Sequence, residues 1–235
     1  MSDSRASSDS PVAVETHDPA LLHHFATKDQ QRSAASLGMW LFLSTELMFF
    51  GGMFCAYLIY RRLYFTEFAA GSRSLDVTLG AINTVVLICS SLTVALGVRA
   101  AQMGKRKLLV ALMLLTLVFG VAFLGIKGVE WASKFKEHHI PGASFHFEQT
   151  ELDGKSINPQ HLQLYFSLYF AMTGMHALHM IIGVGMFLYL TYYSWKGRYT
   201  PDYYTPVENG GLYWHFVDIV WIYLFPLLYL IDLKK

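Results

Sequence analysis

The chain has 235 residues, of which 54% are hydrophobic and 15% are charged, and its formal net charge is +1. A soluble domain of this length carries about 25% charged residues, so the composition argues against an ordinary soluble protein. The near-neutral charge offers no basic surface for nucleic acid. The apolar residues fall in long runs, which is typical of a membrane protein. Cys55 and Cys89 lie inside these runs and form neither a disulfide framework nor a CxxC metal motif.

The N-terminal segment is polar and rich in Ser, Asp and His over residues 1–36. It lacks the apolar core of a secretory signal peptide. We therefore predict a flexible polar tail over residues 1–36, followed by a single membrane domain over residues 37–235.

Apolar runs that follow in chain order predict five transmembrane helices. Each run reaches about 19 residues or more, the length of helix that crosses a hydrocarbon core of about 30 Å. Tyr and Trp gather near the ends of the runs, where an interfacial belt is expected. A long polar connection, residues 127–161, separates the third run from the fourth. The sequence thus predicts an all-α, integral membrane bundle with spans at residues 37–60, 79–98, 108–126, 164–193 and 212–231.

Five spans place the two ends of the chain on opposite faces of the membrane. The 18 Lys and Arg residues divide equally between these faces, so their total gives no orientation under the positive-inside rule. Lys105, Arg106 and Lys107 are concentrated in one very short turn. This cluster favours a cytoplasmic N-terminus.

Ionisable residues inside the predicted spans need a partner or a function, because a charge at membrane depth costs several kcal/mol. Glu46, His176, His179 and Asp218 are such residues, and His215 lies near the start of the fifth span. At a rise of about 1.5 Å per residue, the first four lie at similar depths on three different helices. The sequence therefore predicts a shared polar cluster.

The spacing of His176 and His179 suits two ligands on one helix face, so we considered a metal or haem site. Haem between helices needs histidines on facing helices, a di-iron site needs Glu-x-x-His motifs, and zinc needs three or four convergent ligands. The spans contain none of these sets, so we expect no metal site and no catalytic residue. A proton relay stays open, and a structural role, in which these groups satisfy one another across helices, is the favoured interpretation.

Four stretches of the sequence resemble one family, in the order in which that family carries them. They are "LFLSTELMFFGGMFCAY", "KGVEWASKFKEHHIPG", "LYFAMTGMHALHMIIG" and "LYWHFVDIVWIYLFPLLYL". The family is subunit III of the haem-copper respiratory oxidases, best known from cytochrome c oxidase. The long form of that subunit has seven spans, and this chain resembles the shorter bacterial form that has five.

The resemblance assigns positions to the polar residues of the spans. Glu46 falls on the buried carboxylate of the family, which is expected to react with carbodiimides. The other matching polar positions are occupied by Glu130, His176, His179, His215 and Asp218.

The resemblance also implies a non-catalytic subunit of a proton-pumping terminal oxidase in the aerobic respiratory chain. Such a subunit binds no haem and no copper itself, because these cofactors belong to partner subunits. It packs directly on subunit I, shares the complex with subunit II and other respiratory subunits, and binds phospholipid. It supports proton uptake and protects the enzyme against inactivation during turnover. The implied location is the bacterial inner membrane, with the N-terminus cytoplasmic and the C-terminus periplasmic.

Alternative functions stay open at this point. Within the same superfamily, the chain fits subunit III of a quinol oxidase or an accessory subunit of nitric oxide reductase. From other classes, we considered a membrane enzyme with its own haem or metal and an independent proton-coupled transporter. The first lacks convergent ligands, and the second lacks an inverted repeat with broken helices in matching positions.

Overall fold

The computed structural model of the protein describes residues 25–137, 141–142, 147, 151–152 and 154–231. These residues form six α-helices and one two-stranded hairpin. Five of the helices are long and apolar enough to cross a membrane, which confirms the predicted all-α membrane bundle. In chain order the elements are α1 (Lys28–Leu63), α2 (Phe65–Arg73), α3 (Val77–Gln102), α4 (Arg106–Lys136), β1 (Glu151–Leu152), β2 (Lys155–Ser156), α5 (Pro159–Trp195) and α6 (Thr205–Tyr229).

α1 begins at Lys28, whereas the sequence predicted a tail up to residue 36. Thr27 caps the helix, because its side chain accepts a hydrogen bond from the backbone N–H of Gln30. Asp29 lies in the first turn, near the positive end of the helix dipole. The polar residues 28–36 are therefore a helical extension of the first span. Residues 1–24 of the predicted tail lie outside the described residues.

α4 continues to Lys136, whereas the sequence ended the third span at residue 126 and assigned the next residues to a polar connection. Lys127, Glu130 and Lys134 lie on one face of the helix and are buried. Hydropathy alone counts these residues as polar, although they find partners inside the bundle. α5 likewise begins at Pro159, before the predicted start at residue 164, with Asn158 as its N-cap.

The short helix α2 was not predicted, because its sequence is too short and too mixed to be recognised as a span. It packs against α5. Phe68 and Gly71 are buried, and a Cβ atom at Gly71 would overlap the ring of Tyr165. Glycine at this position therefore allows α2 to lie close to the start of α5.

α6 is the most buried of the five spans and contacts α1, α3 and α5. α3 and α4 form a hairpin around Gly104, whose φ of 69° favours glycine. α1 lies at the edge of the bundle and exposes most of its apolar side chains. In a membrane this face meets lipid or another apolar helix rather than water.

Tyrosine hydroxyls satisfy carbonyl groups in the last turn of α6, where no following turn of helix supplies donors. Tyr57 of α1 donates to Leu227 O at 2.9 Å, and Tyr165 of α5 donates to Leu228 O at 3.1 Å. Pro226 lies inside this final part of the helix. These two bonds attach the end of α6 to α1 and α5.

Candidate functional site

Glu46, in the middle of α1, meets His179 of α5 across the helix interface. The distance between Glu46 Oε2 and His179 Nε2 is 3.1 Å. His179 Nδ1 lies 2.8 Å from the carbonyl oxygen of Met175, one turn earlier in α5. Phe50 packs against the edge of the imidazole, with the ring centroids 5.2 Å apart. These contacts fix both the position and the rotation of the imidazole ring.

The hydrogen bonds of His179 determine how many protons the pair holds. A carbonyl oxygen only accepts, so Nδ1 must carry a proton and donate it to Met175 O. The bond between Nε2 and Glu46 then needs one further proton, carried by either the imidazole or the carboxyl group. The two groups can exchange this proton directly, which is the chemistry of a relay.

The pair lies near the outer surface of the bundle. The side chain of Glu46 is 21% exposed and that of His179 is 11% exposed. Behind the pair, Tyr213 of α6 donates a hydrogen bond of 3.0 Å to the carbonyl oxygen of His179. The pair is therefore held from the inside and partly exposed at the surface of the bundle.

His176 points away from this pair, although it lies only three residues earlier in α5. Its ring packs against Phe123 of α4 and Trp221 of α6, with centroid distances of 5.4 and 5.3 Å. Neither ring nitrogen has a hydrogen-bond partner within the described part of the chain. His176 and His179 therefore do not share one polar cluster, in contrast to the prediction.

Asp218 and His215 of α6 approach Ser91 of α3 instead of Glu46. Ser91 Oγ lies 2.7 Å from His215 Nδ1. Ser91 also interacts with the buried carboxyl group of Asp218, but neither carboxyl oxygen makes a hydrogen bond of normal geometry to a described residue. His215 lines an apolar groove of about 250 Å³ between α1 and α6. The predicted cluster thus divides into separate sites.

Glu130 belongs to a further polar site, which is buried and joins α4, α5 and α6. Glu130 Oε1 accepts hydrogen bonds from the hydroxyls of Tyr169, at 2.6 Å, and Tyr229. Lys127 Nζ donates to Glu130 Oε2 at 3.1 Å, to Tyr229 Oη at 2.6 Å and to Tyr169 Oη at 3.2 Å. All three ammonium donors therefore have acceptors. Lys127 also lies 5.0 Å from the centre of the Trp221 ring, in cation–π geometry.

Metal-binding geometry is not found among the residues that the structure describes. No group of three or more His, Cys, Asp or Glu side chains in that part of the chain lies close enough to hold a metal ion. The contacts of His176 and His179 go to different helices, so the two imidazoles do not form a pair of ligands.

A family model of known proteins matches almost the whole of this bundle. The model is that of cytochrome c oxidase subunit III, and it covers residues 22–157 and 160–232. The chain belongs to this family. The match includes all five spans and both residues of the Glu46–His179 pair.

Individual members of the subunit III family show the same similarity. The probable cytochrome c oxidase subunit 3 of Nocardia farcinica is 33% identical over 83% of this chain and 87% of its own length. Cytochrome c oxidase subunit 3 of Synechocystis sp. is 33% identical over 83% of this chain and 74% of its own length. A haem-copper oxidase subunit I+III of Aeropyrum pernix is 31% identical over 91% of this chain, which matches 24% of that protein.

The sequence analysis did not identify Lys127, Tyr169 and Tyr229 as the partners of Glu130 in this member of the subunit III family. A usable signal existed, because Lys127, Glu130 and Lys134 are spaced as one helix face. Such spacing predicts a helix that continues past residue 126. The tyrosines could not be assigned in this way, since Tyr is also the ordinary residue of the membrane interface.

Proposed function

We propose that this chain is the non-catalytic third subunit of a proton-pumping cytochrome c oxidase in a bacterial cytoplasmic membrane. Membership of the subunit III family supports this assignment, as does the arrangement of five helices that can span a membrane. The relatives from Nocardia farcinica and Synechocystis sp. are named as cytochrome c oxidase subunits, which favours cytochrome c over quinol as the electron donor.

Subunit I is the proposed direct partner. The relative from Aeropyrum pernix is named as subunit I+III, and this chain corresponds to only 24% of it. Subunits that are fused into one chain in one species are expected to pack against each other where they are separate chains. In the proposed complex, haem and copper belong to partner subunits, subunit II is a further neighbour, and this chain contributes no redox centre of its own.

The Glu46–His179 pair is the proposed site through which this subunit supports proton uptake. The observation that carries this proposal is the bond of 3.1 Å between Glu46 Oε2 and His179 Nε2, which requires a shared proton. The partial exposure of both side chains leaves room for a group of a neighbouring subunit to exchange that proton. A pair that buffers a proton beside the pump would keep uptake rapid and delay inactivation during turnover.

Replacement of Glu46 by Gln in the purified oxidase complex tests this role. Because Glu46 lies outside the proposed oxygen-reducing centre, we expect an unchanged reduced-minus-oxidised haem spectrum. The initial turnover should fall by less than about tenfold, below the 10²–10⁴-fold typical of a lost catalytic acid or base. The variant should, however, lose activity after fewer turnovers than the parent, because the shared proton is gone.

The matched control is Glu208→Gln, which removes an exposed carboxylate that pairs with Arg32 at 3.3 Å on the face where α1 begins. This control should inactivate at the parental rate. Equal inactivation of the Glu46 variant and the parent would exclude a protective role for the pair. Loss of a haem band from either variant would contradict a subunit without a redox centre. Failure of the chain to copurify with a haem-bearing partner would contradict its assignment to an oxidase complex.

A further inference from the structure

Asp218 of α6 carries a carboxyl group for which the described residues provide no counter-charge. The residue is 1% exposed, and neither carboxyl oxygen has a hydrogen-bond partner of normal geometry among those residues. The ion pairs in that part of the chain involve other carboxylates. An ionised carboxylate without a partner is costly at membrane depth, whereas a neutral carboxylic acid costs far less.

Ser91 of α3 contacts both this carboxyl group and an imidazole. Ser91 Oγ is 2.7 Å from His215 Nδ1, and the same side chain interacts with Asp218. His215 and Asp218 are three residues apart in α6, so they lie on one side of the helix. The carboxyl group turns easily about its last torsion angle, which lets it bond to the hydroxyl. A hydroxyl both donates and accepts, so Ser91 can connect the two groups.

Two indole groups hold α3 and α6 in register around this site. Trp214 Nε1 donates to Ser90 Oγ at 2.9 Å, and Trp221 Nε1 donates to Thr84 Oγ1 at 3.1 Å. These bonds join α6 to α3 on either side of Asp218. They prevent one helix from sliding along the other, so the groups that surround the carboxyl are held in place.

The three connected side chains extend from the core to the outer surface of the bundle. Asp218 is buried, whereas His215 is partly exposed and lines the groove between α1 and α6. The ring of His176 in α5 makes no hydrogen bond to the carboxyl group. The Glu46–His179 pair belongs to the interface between α1 and α5. The imidazole of His215 is therefore the titratable group that connects Asp218 to the surface.

We propose that Asp218 holds a proton inside the bundle and exchanges it with the outer surface through Ser91 and His215. In the protonated state Asp218 donates to Ser91 Oγ, the hydroxyl donates to His215 Nδ1, and Nε2 carries the imidazole proton. Release moves the acid proton to Ser91, the hydroxyl proton to Nδ1 and the Nε2 proton to an acceptor that reaches the groove, such as water in a detergent solution. One proton leaves in total. The carboxylate then accepts from Ser91, and Ser91 accepts from Nδ1–H. The site does not depend on the proposed oxidase function.

Infrared spectroscopy of the full-length chain in mild detergent tests the protonated state. The C=O stretch of a neutral carboxylic acid absorbs apart from the amide and carboxylate bands, and it shifts in D₂O. We expect Asp218→Asn to remove one such band at neutral pH, because the acid has gone. The matched control is Asp202→Asn, which makes the same change at an exposed carboxylate and should remove none. An unchanged set of bands in Asp218→Asn would show that Asp218 is ionised, and the proposal would be wrong.

Hydrogen–deuterium exchange of the same band tests the path, because a purely structural hydrogen bond would not set its rate. After transfer into D₂O, the band should shift at least about tenfold more slowly in Ser91→Ala and in His215→Phe than in the parent, since a positioned proton-transfer group contributes about 10²–10⁴-fold. Ser44→Ala removes another hydroxyl that lines the groove and should exchange at the parental rate. Parental rates in both path variants would exclude the path. If Asp218→Asn does not fold, the spectrum of Ser91→Ala decides the assignment, because loss of the hydroxyl should move the Asp218 band, and an identical band contradicts the proposal.

Discussion

A buried ammonium group such as that of Lys127 has lost its water and must be stabilised by the protein. Removal of both charges of a buried ion pair is often tolerated, whereas removal of one partner costs about 3–5 kcal/mol. Lys127 and Glu130 are 4% and 2% exposed, so they fall under this rule. The two tyrosine hydroxyls complete the hydrogen bonding of both charges. The site therefore stabilises the junction of three helices only as long as it stays complete.

Glu130→Gln is expected to destabilise the protein strongly, because it keeps the shape of the side chain but leaves the ammonium group of Lys127 without a carboxylate. The free energy of unfolding in detergent should fall by about 3–5 kcal/mol. The double variant Lys127→Met/Glu130→Gln should lose less than the single variant, since the unpaired charge has gone. Tryptophan fluorescence during denaturant unfolding measures both changes.

The comparison for this prediction is Glu208→Gln, whose ion pair with Arg32 is exposed. Exposed pairs contribute about 0–1 kcal/mol, so this variant should be nearly as stable as the parent. If Glu130→Gln is no more harmful than Glu208→Gln, the buried network does not hold the helices together.

At the scale of helices, two glycines of α4 lie on different faces, one packed against neighbouring helices and the other exposed. An ideal Cβ at Gly120 would lie 2.8 Å from Trp214 Cη2 and 3.2 Å from Val184 Cγ2. An ideal Cβ at Gly128, on the same helix, would have no described atom within 4 Å beyond its chain neighbours and the backbone of its own helix. The bulky indole of α6 thus depends on the missing side chain at Gly120, whereas Gly128 faces outwards.

Gly120→Ala should therefore lower the free energy of unfolding by about 1–3 kcal/mol, the usual cost of overpacking. Gly128→Ala should cause no loss, because alanine is the better helix former and has space. Thermal unfolding of both variants in the same detergent, followed by circular dichroism, measures the difference. Equal midpoints for the two variants would show that α4 and α6 are not packed this closely.

The sequence predicted the helices well within the apolar spans, where hydropathy alone is enough to indicate a helix. Every predicted span lies within or almost within an observed helix, because about 19 apolar residues in a membrane have no alternative to a helix. The ends differ, since Thr27 extends α1 and the Lys127–Glu130 pair extends α4 through polar sequence. These extensions depend on caps and on partners from other helices, which a hydropathy pattern does not contain.

For the molecule as a whole, depth was predictable but helix rotation was not. Rise per residue places Glu46, His176, His179 and Asp218 at one level. The bond between Glu46 and His179 could therefore be anticipated as a possibility within that level. The neighbour that each of these residues faces depends on the rotation of its helix about the helix axis. Packing against Phe123 and Trp221 holds the ring of His176 away from Glu46.

Orientation is also a property of the whole molecule, and the fold strengthens the weak signal of the sequence. Lys127 is buried in an ion pair, so it no longer counts as a surface charge on the face opposite to the N-terminus. On the N-terminal face, a tight turn that contains Lys105 joins α3 to α4, and a short connection that contains Lys196 and Arg198 joins α5 to α6. Short loops carry the greatest weight in the positive-inside rule, so this face should be cytoplasmic.

Single-cysteine labelling in intact bacterial cells tests this orientation. The background replaces Cys55 and Cys89 by Ala, and the reporters are Met103→Cys, in the α3–α4 turn, and Lys136→Cys, at the end of α4; both positions are exposed. A membrane-impermeant maleimide should label Lys136→Cys in intact cells and both reporters after permeabilisation. The opposite pattern would place the N-terminus outside. It would also put the basic turns on the outer surface, where the positive-inside rule does not expect them.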